Sequence, residues 1–206
     1  MARRVFVSFR FSDGEQYKEK LDSLFDSSVK VINCSEDVDR SNMTDDTIRR
    51  YLYEKLSDTS VTIILLTPDA LEYKRKGRRI DDWTYDEVRY SLEDRTGNRT
   101  NGIVAVYVPE ARDALIHTHK CVLCDRECSV TSIPNREHLF RKNMMNVKSA
   151  FASHACHDKG IFDGDKDSYC SLVSWDEFVQ DYGRYIDMAA EKRERRDQFD
   201  VVVRLQ

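Results

Sequence analysis

SVTIILLTP (residues 60–68) is the most apolar run in the chain of 206 residues. Its hydrophobic residues are continuous rather than alternating. A strand with one wet face alternates, whereas a strand covered on both faces does not. The run therefore reads as the central strand of a parallel sheet with helices on both faces. The flanking sequence agrees. RVFVSF (4–9) and VKVINCS (29–35) read as two earlier strands. Between them Tyr17, Leu21, Leu24 and Phe25 recur at helical spacing. Ile48, Leu52 and Leu56 mark a second helix, with Thr44 as its N-cap and Asp45 and Asp46 in the first turn, where negative charge suits the helix dipole. DDWTYDEVRYSLED (81–94) supplies a third helix and GIVAVYVP (102–109) a fourth strand. This alternation over residues 1–109 implies right-handed crossovers and an α/β, flavodoxin-like fold. Such sheets bind ligands at the carboxyl ends of the strands, near the point where strand order reverses. That rim carries residues 8–13, 34–40 and 67–69.

The totals narrow the function. A net charge of −4 argues against a general nucleic-acid binder. No apolar run approaches the roughly 18 residues that span a bilayer. The opening MARRVFVSFRFSD has no apolar stretch or cleavage site of signal-peptide type. A cytoplasmic protein is expected, with no membrane partner, and its six cysteines are then reduced thiols or metal ligands rather than disulfides.

Residues 110–206 read as an extension packed on the same domain. Residues 110–173 have poor periodicity and hold five of the six cysteines and all five histidines, so loops and short helices are expected there. Cys121 and Cys124, with Cys156 and His157 further on, have ligand types that suit a structural zinc. The spacing is long and lacks a second CxxC, so buried free thiols are the preferred reading. At SWDE (174–177) Ser174 and Glu177 form a capping box. Trp175, Phe178, Tyr182, Tyr185, Ile186 and Ala189 then make an apolar stripe over about four helical turns. EKRERRD (191–197) reads as the wet face of the helix end, and DVVVRL (200–205) as a closing strand tied into the sheet.

Chemistry is concentrated in the third helix. Asp86 and Glu93 each reach Arg89, at three and four residues. Glu87 reaches no base. Its neighbours at that spacing are Trp83, Thr84, Tyr90 and Ser91. Tyr85, Val88 and Leu92 form the core stripe, and Glu87 projects with Trp83 and Tyr90 away from it. A carboxylate beside aromatic rings is poorly solvated, which can raise its pKa; the plainer reading of these residues alone is a surface glutamate on an amphipathic helix, with Trp83 packed under a loop. Phosphate-cradling loops of the GxGxxG and GxxxxGK[ST] types are absent. The basic run EYKRKGRRIDD (72–82) reads as a solvated loop, since aromatic interleaving is slight.

SFRFSD (8–13), TSVTIILLTPDAL (59–71) and WTYDE (83–87), in this order, resemble a TIR domain, and most of all the TIR-like proteins of Thoeris-type anti-phage systems. The resemblance covers residues 4–108. The W-x-x-x-E spacing from Trp83 to Glu87 is its most specific element. It implies an NAD+ nucleosidase or ADP-ribosyl cyclase with Glu87 as the catalytic residue, and an ADP-ribose-derived product read by a separate effector protein. Ser8, Arg10, Phe11, Asp13 and Trp83 are the expected substrate-binding residues. Arg10 would meet the pyrophosphate, and Phe11 or Trp83 would stack on a ring. NAD+ is substrate, so no cofactor is required for catalysis, and self-association is expected for activity. The chain departs from a minimal TIR domain in its long extension and in the acidic segment SEDVDRSNMTDD (35–46). Linear and cyclic products stay open. The competing reading is a non-catalytic TIR-like interaction or nucleotide-binding module.

Overall fold

A computed structural model describes residues 2–35, 45–72, 75–76, 79–80, 82–94, 99–120, 127–131, 138–153 and 163–205. In chain order the strands and helices are β1 (Arg3–Ser8), α1 (Phe11–Asp26), β2 (Val31–Asn33), α2 (Asp45–Ser57), β3 (Val61–Leu66), β4 (Arg75–Lys76), β5 (Arg79–Ile80), α3 (Trp83–Leu92), β6 (Gly102–Tyr107), α4 (Arg112–Leu115), β7 (Ile116–Lys120), β8 (Glu127–Thr131), β9 (Cys170–Ser174), α5 (Trp175–Gln180) and α6 (Tyr182–Glu194). The main sheet has five parallel strands in the order β2-β1-β3-β6-β9. This is the flavodoxin-like order, and the fold is α/β as expected. The chain leaves β1 in one direction to form β2 and returns on its other side as β3, so the strand order reverses between β1 and β3.

All six residues of β3 are buried, as its unbroken apolar run requires. Thr62 of β3 hydrogen-bonds Ser91 of α3 through their hydroxyls at 2.7 Å. The adjacent register pair is Val61 with Gly102 of β6, and Gly102 lies under Ala189 of α6. Successive strand residues point to opposite faces, so α3 and α6 cover opposite sides of the sheet. Phe6 packs with Leu52, Leu56 and Tyr90 on the α2–α3 side. Ser8, two residues beyond Phe6, therefore points towards α3 as well.

The structure corrects several expectations. The fifth strand comes from CSLVS (170–174), which starts within the segment 110–173 expected to be loops and short helices. Five residues with one cysteine and two serines carry no strong strand signal; pairing with the open edge of β6 makes them a strand. DVVVRL forms no strand. Its residues Val201, Val202 and Val203 are half-buried against the core, and Asn143 donates to and accepts from the Val202 backbone at 2.8 Å each. The capping box at Ser174 and Glu177 forms, but the helix breaks at Asp181, whose carboxylate accepts from Arg184 N–H at 3.4 Å and starts α6 anew. Lys192, expected on a wet face, is 1% exposed and donates to Ser171 Oγ at 2.5 Å. Burial lowers its pKa to about 8. Tyr90, expected away from the core, is buried against Phe6. Part of the basic run pairs as the antiparallel hairpin β4–β5. Thr44 lies outside the described residues. No helix among the described residues is long and apolar enough to cross a membrane.

Gly102 sets the distance between β6 and α6. A Cβ there would lie 1.9 Å from the Ala189 carbonyl oxygen and 2.4 Å from its carbon. The obstacle is helix backbone, which cannot rotate aside. Gly102→Ala is expected to destabilise at or above the top of the roughly 1–3 kcal/mol range for overpacked cores. Urea unfolding followed by circular dichroism checks this, and an unchanged midpoint would contradict the close approach.

Candidate active site

The site is assembled where β1 and β3 end, at the reversal of strand order. β1 stops at Ser8. Arg10 is extended (φ −91°, ψ 129°) and starts α1 at Phe11. Gly14 N–H closes the first turn on the Arg10 carbonyl at 2.7 Å. On the neighbouring strand, residues 67–72 turn sharply after β3. Asp13 holds that turn from α1: it accepts from Thr67 Oγ1 at 2.6 Å and from Asp69 N–H at 2.9 Å.

Asp82 is the N-cap of α3 and accepts from Tyr85 N–H at 3.4 Å. Its other carboxylate oxygen pairs with Arg10 Nη2. The Arg10 side chain is 11% exposed and that of Asp82 is fully buried. The same Nη2 donates to the Glu72 carbonyl at 3.2 Å. Arg10 thus joins the end of β1, the turn after β3 and the start of α3. Its Nε is buried and has no hydrogen-bond partner among the described residues.

Glu87 follows Asp82 by five residues. Arg89 is shared by Asp86 at 3.3 Å and Glu93 at 3.0 Å, as the helical spacing predicts. Glu87 has no ion pair among the described residues. The residue is half-buried, but its carboxyl group is enclosed by protein. Burial is the largest cause that pushes its pKa up, to about 8, and the nearby Asp82 and Asp86 charges add to it. Ser8 and Arg10 oppose the shift. The Ser8 hydroxyl is near enough to favour the charged carboxylate. It nevertheless lacks a partner in proper hydrogen-bond geometry among the described residues.

One contributor comes from far along the chain. His138 is fully buried, with its ring 4.4 Å from that of Phe140. Its Nε2 lies 2.9 Å from the Ala70 carbonyl oxygen, which can only accept, so Nε2 carries the proton. Burial lowers its pKa to about 4, so the ring is neutral near pH 7. Asp82 and Arg10 both lie close enough to act on it electrostatically.

Of the expected residues, the structure brings together Ser8, Arg10 and Glu87. Asp13 faces the 67–72 turn as a clamp. Phe11 is half-buried, and its ring packs on Phe9 with centroids 4.6 Å apart. Trp83 opens α3, but its side chain lies outside the described residues, as do Cys121, Cys124, Cys156 and His157. Cys34 and Cys170 are free thiols. Sequence reasoning missed Asp82 and His138. An aspartate just before a helix is a readable N-cap signal. His138 offered none, because its segment has no periodicity.

A family model described as Thoeris protein ThsB, TIR-like domain, matches residues 6–113. That span is more than half of the chain. The chain belongs to the ThsB TIR-like family of Thoeris anti-phage defence. The ThsB match includes Ser8, Arg10, Asp13, Asp82 and Glu87. It excludes His138 and β9.

The raised pKa has a stability consequence. Between pH 4.5 and about 8 the folded protein holds a proton on Glu87 that the unfolded chain has lost. The contribution of neutral Glu87 is complete below pH 4.5 and disappears as pH rises through about 8. Glu87→Gln stays neutral throughout. It is expected to match the wild type near pH 4 and to exceed its stability by several kcal/mol, at most about 5, above pH 8. Thermal unfolding across this range tests the sign, and a constant difference would mean that Glu87 titrates normally.

Proposed function

We propose that this protein cleaves the nicotinamide–ribose bond of NAD+, with Glu87 as the catalytic carboxylate. The observation that carries this reading is the enclosed carboxyl of Glu87, without an ion pair among the described residues, beside Ser8 at the carboxyl rim of the sheet. Bond cleavage builds positive charge on the ribosyl carbon, as in glycoside hydrolysis. Nicotinamide leaves as a neutral group, so no strong general acid is needed. The substrate's positively charged pyridinium favours ionisation of Glu87 on arrival, and the carboxylate then stabilises the cation that forms. Ser8 is placed to hydrogen-bond a ribose hydroxyl, and Phe11 and Trp83 remain the candidates for stacking. Arg10, engaged by Asp82 and the Glu72 carbonyl, serves better to hold the rim than to meet the pyrophosphate. Attack by water gives ADP-ribose, and internal attack by adenine or a ribose hydroxyl gives a cyclic isomer. Either product would carry the signal to a separate effector, and self-association would complete the site.

That engagement of Arg10 favours a second reading, a TIR-like module that binds a nucleotide or another copy without turnover. Nicotinamide release from NAD+, followed by chromatography at low and high protein concentration, separates the two. The first reading expects Glu87→Gln to lower release at least about 100-fold while the circular dichroism spectrum is kept. Equal turnover by the variant would overturn it, and NAD+ binding without release at any concentration would support the module. The pH profile adds a check. The value of kcat/KM is expected to rise with pH and level off above about 8, because it follows ionisation of the free enzyme's Glu87.

A further inference from the structure

We infer that His138 is a positioning residue for Glu87, acting by fixing the 67–72 turn through the Ala70 carbonyl and so holding Arg10, Asp82 and the start of α3 in place. The inference rests on the reading of Glu87 as catalytic. Each link is a contact. His138 Nε2–H donates to the Ala70 carbonyl at 2.9 Å. Two residues on in the same turn, the Glu72 carbonyl accepts from Arg10. Arg10 pairs with Asp82, which caps the helix that presents Glu87 five residues later. Asp13 fixes the turn from one side, at Thr67 and Asp69. His138 fixes it from another, at Ala70. The ring's neutrality suits this task, since a charged imidazolium beside Arg10 would push on the guanidinium that holds the rim.

The bond and the ring can be tested apart. His138→Phe keeps an aromatic ring against Phe140 and loses the donor. His138→Gln loses the ring and keeps an amide donor at a similar reach. Both are made in the full chain. They are compared with the wild type by thermal unfolding, by kcat and KM for nicotinamide release, and by amide hydrogen exchange at residues 70–72 and 83–87. The expected result for His138→Phe is a fall in kcat of about tenfold or more, with KM within about twofold. Its exchange at residues 83–87 is expected to quicken by about tenfold. His138→Gln is expected to stay within about threefold of the wild type in both. Unchanged kcat and exchange in His138→Phe, or equal damage in both variants, would overturn the inference. Should His138→Phe fail to fold, His138→Gln decides alone: native kcat and exchange support the role, and their loss refutes it. If the wild type releases no nicotinamide, the reading of Glu87 fails, and the exchange measurement still decides whether His138 orders the start of α3.

Discussion

The pairing of Arg10 with Asp82 is the contact on which the functional end of the molecule depends. Both side chains are largely removed from water, so each charge is supported by the other. Removing one partner of such a pair costs roughly 3–5 kcal/mol, because a buried charge is left uncompensated. The end of β1 and the start of α3 are therefore coupled far more tightly than adjacent surface loops would be. Asp82 also caps α3, so one carboxylate fixes both where the helix begins and which way it points. The direction of Glu87 follows from that start, since it lies less than two helical turns further on. The arrangement carries its own cost. Arg10 Nε and Ser8 Oγ are buried without hydrogen-bond partners among the described residues, and both lie within the influence of Glu87. Two under-satisfied polar atoms beside an enclosed carboxyl are what a site looks like when its polar groups are set for something other than one another.

The architecture was legible because its signal is local. The unbroken apolar run at 60–68 could only be satisfied by cover on both faces, and the helices around it supply that cover. Boundaries and later elements were less legible. CSLVS is a strand because β6 offers an unpaired edge, which no property of those five residues reveals. DVVVRL has strand propensity and apolar character, yet Asn143 takes the Val202 backbone groups that a neighbouring strand would have used. Lys192 stands in a run of seven residues that all carry charge, and composition marks it as exposed. Its helix instead passes so close to Gly102 that the last turn is carried over β9, and the amine finds Ser171 there.

The candidate site divides in the same way. Glu87 was visible because helical spacing assigns Asp86 and Glu93 to Arg89 and leaves Glu87 with no base, and the structure keeps that division. Its surroundings were misjudged. Tyr90 does not share an outer face with it but packs against Phe6, so the face that carries Glu87 looks along the end of the sheet and not into open water. The partner of Arg10 lies 72 residues away and that of His138 lies 68 residues away. No periodicity connects such positions. An arginine at a strand end reads equally well as a ligand-binding group or as a structural tie until its partner is known.

The long segment between β6 and β9 takes a different meaning from these contacts. Read alone, it is an appendage to a domain already complete at residue 109. Its end, however, supplies the strand that covers β6, and an uncovered β6 would leave a row of backbone donors and acceptors at the sheet edge. The helix that follows β9 closes over Gly102, whose missing side chain only makes sense with that helix in place. Part-way along, the same segment sends His138 to the turn that Arg10 also grips. The sheet and the rim are thus completed by one excursion of the chain. Glu87 sits on a helix whose capping residue is tied to Arg10, and the turn that Arg10 grips also receives His138 from a later segment of the chain.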